Sequence, residues 1–331
     1  MKIEKCLHNL KSTEIKAIVK GVLSLVPGIN AIGRREGGGA NSARYCYSVW
    51  LRHLVIARSN GMTTLPKTLA EVGPGDSLGI GIAALLSGVE SYAAFDVVNF
   101  IRLKQNLDIL EELCVLFRDR TPIPGDEEFP LLSPKMESYS FPFELIPDHV
   151  LKKSLSVDNI KEIREALIDL SNGKVRNNRI LYFAPWTSND VLKESSIDFI
   201  ISQAVLEHVD DLPNTYQTMN RWLKNGGYCS HQIDFKSHGY ANEWYGHWCY
   251  SDLKWFIIKG KRPYLLNRET LSTHLHIHSE YGFEILTVLR QRSTTPAKRE
   301  KLAKKYVDIP DDDLITSSAY VLSVKSNEVD F

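Results

Sequence analysis

The chain has 331 residues, of which 43% are hydrophobic and 24% are charged, and its 40 basic and 40 acidic side chains leave no formal net charge. This composition is typical of a globular protein, whereas a nucleic-acid binder would usually carry a basic excess. The five cysteines show no Cys-x-x-Cys spacing, so neither a zinc site nor a disulfide framework is expected. Reduced thiols in a cytoplasmic protein are the preferred interpretation.

Residues 1–62 are expected to form a helical N-terminal extension. Within it, residues 17–32 are mostly apolar, but a lysine, a glycine, a proline and an asparagine interrupt them. No apolar run therefore reaches the ~18 residues that a membrane span needs. No small-residue cleavage site follows, which argues against a signal peptide. An amphipathic helix that docks on the domain is the preferred interpretation, and contact of residues 13–32 with a membrane surface is the alternative. A second helical pattern runs from Arg44 to Asn60.

From Thr68 onward the pattern alternates between strands and helices, which is typical of a doubly wound sheet. We expect an α/β, Rossmann-like fold with a seven-stranded, mostly parallel sheet, helices on both faces and an antiparallel last strand. One domain over residues 63–331 would carry it, with an inserted cap at about 103–176 and an aromatic-rich insertion at 236–280. The predicted strands are 69–73, 91–96, 179–184, 197–202, 227–233, 283–290 and 318–325, and a helical segment around 297–306 would join the last two.

The turn after the first predicted strand, Glu71-Val-Gly-Pro-Gly75, is the most informative motif. Such a turn exposes backbone N–H groups at a helix N-terminus, where a polar or charged ligand can bind. Roughly 20 residues on, Asp96 ends the next apolar run, and an acid there can bind both hydroxyls of a ribose. Leu78 occupies the place of the third glycine of the dinucleotide fingerprint, and the Gly-Lys-Ser/Thr of a phosphate loop is absent. The two phosphate-binding interpretations therefore lose support.

Two later motifs narrow the choice of cofactor. They are Ile197-Asp-Phe-Ile-Ile-Ser-Gln-Ala-Val-Leu-Glu-His-Val209 and Trp222-Leu-Lys-Asn-Gly-Gly-Tyr228. In this order after the glycine turn, they resemble the class I S-adenosylmethionine-dependent methyltransferases. The resemblance covers about residues 65–235 and the two closing strands. It implies S-adenosylmethionine as cofactor and S-adenosylhomocysteine as product, and this cofactor has a ribose but no phosphate.

The resemblance also implies a cofactor site. Gly73 and Gly75 would let the backbone approach the methionine moiety and the ribose, and Asp96 would bind the ribose hydroxyls. Members of the family often carry an acid in the loop after the third strand, where this chain has Pro185-Trp186-Thr187, so the adenine contact departs from the family pattern. The implied cofactor-binding residues are Glu71, Gly73, Pro74, Gly75, Asp96, Val97, Pro185, Trp186, Gln203, Ala204 and His208.

Two side chains in these motifs have a structural alternative to a role in the site. Glu71 either belongs to the cofactor site or caps the glycine turn. His208 either enters the pocket or packs at the start of a helix. Glu207 is interpreted as a solvated or capping acid.

Methyl transfer to a hydroxyl also needs a base, for which histidine is suited near neutral pH. His238 and Asp234 follow the fifth strand, at the end of the sheet where ligands bind, and could form a base oriented by an acid. A salt link that fixes the loop is the alternative. His231 is expected inside the sheet. The candidate catalytic residues are thus His238, Asp234 and His208. No metal site is expected, and His274, His276 and His278 are interpreted as a solvated face.

We therefore predict an S-adenosylmethionine-dependent methyltransferase that acts on a hydroxyl of a small molecule or glycan. The aromatic insertion would roof the acceptor pocket or form a homodimer contact. The run from His238 to Arg268 also resembles the tail of bacterial methyltransferases encoded among surface-polysaccharide or natural-product genes. An N- or C-methyltransferase of another metabolite and a non-catalytic, cofactor-binding regulatory protein are the alternatives.

Overall fold

The computed structural model describes residues 12–26, 40–99, 102–175, 178–262 and 264–326. Its strands are β1 (Thr68–Val72), β2 (Ser91–Phe95), β3 (Ile180–Phe183), β4 (Ile197–Gln203), β5 (Leu223–Asp234), β6 (Phe283–Arg292) and β7 (Thr316–Lys325). Its helices are α1 (Ser12–Leu23), α2 (Ala43–Ser59), α3 (Gly79–Leu86), α4 (Leu103–Arg118), α5 (Asp148–Ser154), α6 (Val157–Ser171), α7 (Leu212–Trp222), α8 (Asp252–Lys259) and α9 (Leu271–Glu280).

The strands form one seven-stranded sheet in the order β3-β2-β1-β4-β5-β7-β6. Strands β1 to β5 pair in parallel, whereas β7 runs antiparallel to both of its neighbours. This confirms the predicted Rossmann-like sheet with its antiparallel last strand. Strand β5 begins at Leu223, earlier than predicted, because the Leu-Lys-Asn-Gly-Gly segment already belongs to the strand.

The predicted helical segment around 297–306 is wrong. The chain forms only two short 3-10 turns there, at Arg299–Lys301 and Lys304–Tyr306. The interpretation of the three alternate histidines of α9 as a solvated face is also wrong for two of them. His274 and His278 are fully buried and pack around the Tyr216 ring, and only His276 is exposed. Alternate positions point to different sides of a helix, so the spacing could not place all three on one face.

Helices cover both faces of the sheet, each over its own hydrophobic cluster. Helices α2, α3, α4 and α6 pack on one face, and α7, α9 and part of the aromatic insertion pack on the other. Gly79 and Gly81 open α3, where a Cβ on Gly79 would lie 2.4 Å from Cys46 Sγ and one on Gly81 would lie 2.1 Å from the Tyr92 ring. These two glycines therefore permit close packing of α3.

The proline-rich segment between α4 and α5 is tied to α2 by Arg52, whose side chain is fully buried. The guanidinium donates to the carbonyl oxygens of Pro134 at 2.6 Å and Pro124 at 3.2 Å. Asp126 lies 3.6 Å from Arg52 Nη2. Because a buried guanidinium has five donors to satisfy, these bonds fix the path of the segment over α2.

Helix α1 packs against α8 of the aromatic insertion. A Cβ on Gly21 would lie 2.0 Å from the carbonyl oxygen of Ile257, so only glycine allows this approach. Lys254 Nζ donates to Glu14 Oε2 at 3.0 Å across the same contact. The helix thus docks on the domain, as its sequence favours. Within the described ranges, no helix has the length and apolar character needed to cross a membrane.

Candidate functional site

The turn after β1 brings the backbone close to the end of β4. Gly73 and Gly75 have φ angles of 73° and 71°, in the left-handed region that favours glycine. The Gly73 amide donates to the Phe95 carbonyl at 2.8 Å, which ties the turn to β2. A Cβ on Gly73 would lie 2.5 Å from Cγ2 of Val205. The glycine therefore provides both the turn and the space beside it.

Asp96 follows β2 and is buried beside this turn. Its Oδ1 accepts the amides of Val97 at 2.7 Å and Val98 at 3.3 Å. Burial raises the pKa of Asp96, while the backbone amides of Val98, Val97 and Gly75 oppose the rise. Amide donors on a carboxylate favour its charged form. The local backbone thus holds the carboxylate at the mouth of the turn.

The rings of Phe95, Trp186 and Trp222 pack together next to Asp96 and form an aromatic wall. The Trp186 amide donates to the Asp96 carbonyl at 2.7 Å, which fixes the loop after β3. The Trp186 ring lies 5.3 Å from that of Phe95 and 5.5 Å from that of Trp222. Phe95 in turn stacks on Trp222 at 4.5 Å. Such an apolar wall suits the flat ring of a ligand.

The turn after β4 closes the opposite side. Ala204 has a φ of 55°, and its amide donates to the Gln232 carbonyl at 2.8 Å. The chain then forms a short 3-10 turn at Leu206–His208. Asn267 of the aromatic insertion holds this turn, because its Nδ2 donates to the carbonyls of Leu206 at 2.7 Å and Val209 at 2.9 Å.

These elements enclose a cavity of about 590 Å³ at the carboxyl ends of β1, β2 and β4. That volume lies within the range of roughly 300–1,000 Å³ that is usual for small-molecule sites. The residues lining it are Val72, Gly73, Gly75, Phe95, Asp96, Val97, Trp186, Thr187, Asn189, Ala204, Val205, His208, Val209, Asp210, Asp211, Asn214, Thr215 and Tyr264.

Seven of the residues predicted for the site line this cavity: Gly73, Gly75, Asp96, Val97, Trp186, Ala204 and His208. The other predicted residues stand around it without lining it: Glu71, Pro74, Pro185, Gln203, Asp234 and His238.

Glu71 points into the core below the turn. Its carboxylate is buried and accepts a hydrogen bond of 2.5 Å from the Tyr92 hydroxyl. Burial raises the pKa of Glu71 to about 8, although the Tyr92 bond opposes the rise. The group is therefore mostly protonated at neutral pH, and the neutral form avoids the free-energy cost of burying a charge.

Gln203 belongs to a buried hydrogen-bond chain that joins β4, α2, β5 and β7 to the proline-rich segment. Its Nε2 donates to the Ser133 carbonyl at 3.1 Å, so its Oε1 accepts from His53 Nε2 at 3.1 Å. His53 Nδ1 then accepts from Ser230 at 2.6 Å, and Ser230 accepts from the Tyr320 hydroxyl at 2.6 Å. Burial lowers the pKa of His53 to about 4, so the ring stays neutral. The chain fixes Gln203 next to Ala204 and links the proline-rich segment to the cavity wall.

The candidate base residues form a cluster on the other side of β4. Asp234 Oδ2 lies 3.4 Å from His238 Nε2, and Lys236 Nζ lies 3.3 Å from the same carboxylate. Burial tends to raise the pKa of Asp234, but the His238 and Lys236 contacts outweigh it and hold the pKa below its usual range. The His238 ring, whose side chain is 29% exposed, lies 5.2 Å from that of His208.

His208 connects this cluster to the cavity. Burial, and then the neighbouring His238, lower its pKa to about 4, so the imidazole is neutral at pH 7. Its Nδ1 is buried without a hydrogen-bond partner among the described residues. A neutral imidazole nitrogen that lacks a partner can accept or donate one hydrogen bond to a ligand.

The interpretation of Glu207 as a solvated or capping acid is wrong, because the side chain is 3% exposed. Burial raises its pKa well above the usual value, and Asp234 adds to the rise. The backbone amides of Glu207 and Asp234 lie near enough to oppose it, but neither carboxylate oxygen makes a hydrogen bond of normal geometry within the described ranges. Burial therefore favours the protonated form of this acid.

A family model described as a methyltransferase domain matches residues 136–288. The match spans β3 to β5 and most of β6 and includes the Leu-Glu-His-Val turn. The glycine turn and Asp96 precede it and supply the first two motifs independently. Residues 136–288 are thus similar to a methyltransferase domain. No curated protein matches the sequence.

Solved structures of methyltransferases share a weak overall likeness with this one. A protein described as a sarcosine dimethylglycine methyltransferase from Galdieria sulphuraria has 12% identity and a TM-score of 0.43, over 85% of this chain and 86% of its own. An S-adenosylmethionine-dependent methyltransferase from Methanosarcina mazei has 12% identity and a TM-score of 0.42, over 82% and 98%. Phosphoethanolamine N-methyltransferase 2 from Haemonchus contortus, in complex with S-adenosylmethionine, has 12% identity and a TM-score of 0.42, over 96% and 61%. The similarity to methyltransferases lies in residues 136–288, and the motif order and the strand order agree with it.

Sequence reasoning missed Asp211 and Tyr264, which line the cavity, and His53, which supports its wall through Gln203. Asp211 caps α7 by accepting the Asn214 amide at 3.2 Å, and an acid before Leu-Pro-Asn signals such a cap. Tyr264 gives no local signal, because it reaches the cavity only through the fold of the aromatic insertion. His53 lies in a helix outside every recognised motif, and only the packing of α2 on β5 brings it to Gln203.

Proposed function

We propose that this methyltransferase binds S-adenosylmethionine in the cavity and methylates a hydroxyl of a small molecule or sugar. The main support is that the glycine turn, Asp96 and Trp186 line the same cavity at the carboxyl ends of β1 and β2. When bound, the cofactor supplies an electrophilic methyl group on a sulfonium. The residues present match its parts: amides and space for the methionine end, a carboxylate for the ribose and an apolar wall for the adenine.

The chain's own residues would contribute mainly position. Gly73 and Gly75 leave room for the backbone to approach the ligand, and Asp96 would accept hydrogen bonds from both ribose hydroxyls. Ala204, at the end of β4, would flank the reacting centre, and Gln203 would support it through the buried hydrogen-bond chain. Ordered alignment of this kind can supply about 7–11 kcal/mol of a barrier.

We propose His238, oriented by Asp234, as the base for the acceptor hydroxyl. Because His238 does not line the cavity, the proton would reach it through His208, which lines the cavity and whose ring lies 5.2 Å from that of His238. His208 would hold the hydroxyl through its neutral ring. A general base adds about 10²–10⁴-fold to the rate of such a reaction. The alternative role of Asp234 is a loop-fixing link, because Lys236 shares its carboxylate.

The first experiment measures binding of the cofactor. Calorimetry with S-adenosylmethionine and S-adenosylhomocysteine is expected to show a single site, which Asp96→Ala weakens by about 10–100-fold, since hydrogen bonds to a charged group contribute about 1.5–3 kcal/mol. Asp108→Ala, which removes an exposed carboxylate on α4, is the matched control. Equal binding by both variants would remove the cofactor assignment.

Turnover is tested separately, by mass spectrometry of S-adenosylhomocysteine formed with panels of sugars, phenols and amines. His238→Ala is expected to keep cofactor affinity and to lose at least tenfold in turnover on the hydroxyl acceptor that responds. Unchanged turnover would exclude His238 as the base. Cofactor binding without turnover on any panel would favour the regulatory alternative.

An amine acceptor is the second candidate, and one observation favours it. Asp210 and Asp211 line the cavity beside His208 and would attract a protonated amine. Asp210→Asn would then raise KM for amines without a matching change for phenols.

A further inference from the structure

Helices α1 and α8, which pack against each other, expose an unusual share of apolar side chains. Nine of the eighteen large hydrophobic residues that are exposed within the described ranges lie on α1, on residues 24–26 just beyond it or on α8. We call this set the apolar ridge. Its members are Ile15, Val19, Val22, Leu23, Leu25, Val26, Leu253, Phe256 and Ile257, and their exposure ranges from 36% to 73%.

The orientation of α1 explains the exposure. Ala17, Gly21 and Ser24 face the domain and are buried. Ile15, Val19 and Val22 follow the i, i+4, i+7 spacing on the opposite side of the helix. A surface helix of a globular domain normally turns its polar side outward. Helix α1 instead uses small residues to approach α8 and leaves its larger apolar side chains outside.

The charges beside this stripe are basic. Lys16 and Lys20 are exposed, and each directly follows an apolar residue of the stripe, so both flank it one turn apart. The acid of the helix, Glu14, is turned toward α8 and paired with Lys254 at 3.0 Å. An apolar stripe with lysines along its edge is the pattern of a helix that lies in the interface of an anionic bilayer.

The ridge is also coupled to the cavity. Lys259, the last residue of α8, donates to Asp210 Oδ1 at 2.5 Å, and Asp210 lines the cavity. Tyr264, a few residues further, lines it as well. A surface that the ridge contacts would therefore lie near the cavity entrance.

We propose that the apolar ridge docks the protein on an anionic membrane surface. Charge complementarity favours this occupant over a second copy of the chain, since a symmetric pairing of ridges would bring lysines of like charge toward each other. The proposal does not depend on the identity of the acceptor or on the base.

Vesicle flotation of the full chain tests it, with phosphatidylcholine alone or mixed with phosphatidylserine. We expect binding to the mixed vesicles that falls with salt. Lys16→Gln with Lys20→Gln should weaken it about fivefold for each lysine, since a basic residue near an anionic surface contributes about 1 kcal/mol. Lys152→Gln with Lys153→Gln, an exposed pair on α5, is the matched control and should bind like the wild type.

The apolar contribution is tested by Val19→Asp with Phe256→Asp, which should abolish flotation. Leu131→Asp with Val157→Asp changes residues that are 90% and 81% exposed outside the ridge and should leave flotation intact. Calorimetry with S-adenosylmethionine verifies that each variant is folded. Failure of the wild type to float would overturn the proposal. A dimer of the wild type that is seen by light scattering and is absent from the Val19→Asp/Phe256→Asp variant would also overturn the proposal.

Discussion

Gly73→Ala examines whether the turn after β1 needs glycine for its conformation alone or also for space. The residue has a φ of 73°, where a side chain costs about 1–2 kcal/mol. A Cβ there would also lie 2.5 Å and 2.6 Å from the two methyl groups of Val205, well inside the ~3.5–4.0 Å of a normal carbon contact. Overpacking of this kind costs about 1–3 kcal/mol, so the total loss of unfolding free energy should be about 2–5 kcal/mol.

The chain contains a matched control for the conformational part. Gly226 has a φ of 72°, and a Cβ there would meet nothing within 4 Å. Gly226→Ala should therefore lose only the 1–2 kcal/mol of the backbone. The difference between the two variants measures the steric cost at Gly73. Adding Val205→Ala to Gly73→Ala should recover part of that difference, because it removes both of the crowded methyl groups.

Urea unfolding followed by circular dichroism gives the stabilities, and calorimetry gives the affinity for S-adenosylmethionine. Gly73→Ala should weaken the affinity at least tenfold, because Val205 lines the cavity and is the side chain that must move. Equal destabilisation of the Gly73 and Gly226 variants, with unchanged cofactor affinity, would refute this account of the turn.

Three further predictions concern buried groups and helix packing. The pKa of Glu71 is about 8 in the folded chain and 4.5 for the free group. Between pH 4.5 and 8 the folded chain therefore binds one more proton than the unfolded chain, and the contribution of Glu71 to the free energy of unfolding falls as pH rises through this window. Glu71→Gln should therefore gain about 2 kcal/mol relative to the wild type between pH 6.5 and 8 in urea unfolding, and a constant difference would contradict the shift. His53→Phe should cost about 1–3 kcal/mol for each partner left without a hydrogen bond and should lower kcat through Gln203, and an unchanged kcat would exclude this positioning role. Gly21→Val should detach α1, because its Cβ would lie 2.0 Å from a carbonyl oxygen of α8, and limited proteolysis should then cleave the helix faster than in Val22→Ala.

The order of the motifs was enough to predict the class and the sheet. Apolar runs ended by glycines or acids recur at the spacing of a parallel α/β fold, and the seven strands between Thr68 and Lys325 lie where the pattern indicates them, although β5 begins earlier, at Leu223. The turn with Gly73 and Gly75 and the acid at Asp96 converge on one cavity because the carboxyl ends of parallel strands share one edge of the sheet. Local patterns suffice for these features, since each depends on neighbours along the chain.

Patterns along the chain could not decide the direction of individual side chains. Glu71 and Glu207 stand in or beside the recognised motifs, yet both carboxyls turn into the core, where burial raises their pKa. His53 gains its place beside Gln203 only through the packing of α2 on the sheet.

The sequence by itself predicted the methyl-donor class, because the glycine turn, the acid and the two later motifs all belong to the local chain. Only the tertiary structure decided what surrounds the donor. Tyr264 and the apolar ridge come from distant segments, and the physical reason is that their positions depend on long-range packing such as the contact of Gly21 with α8.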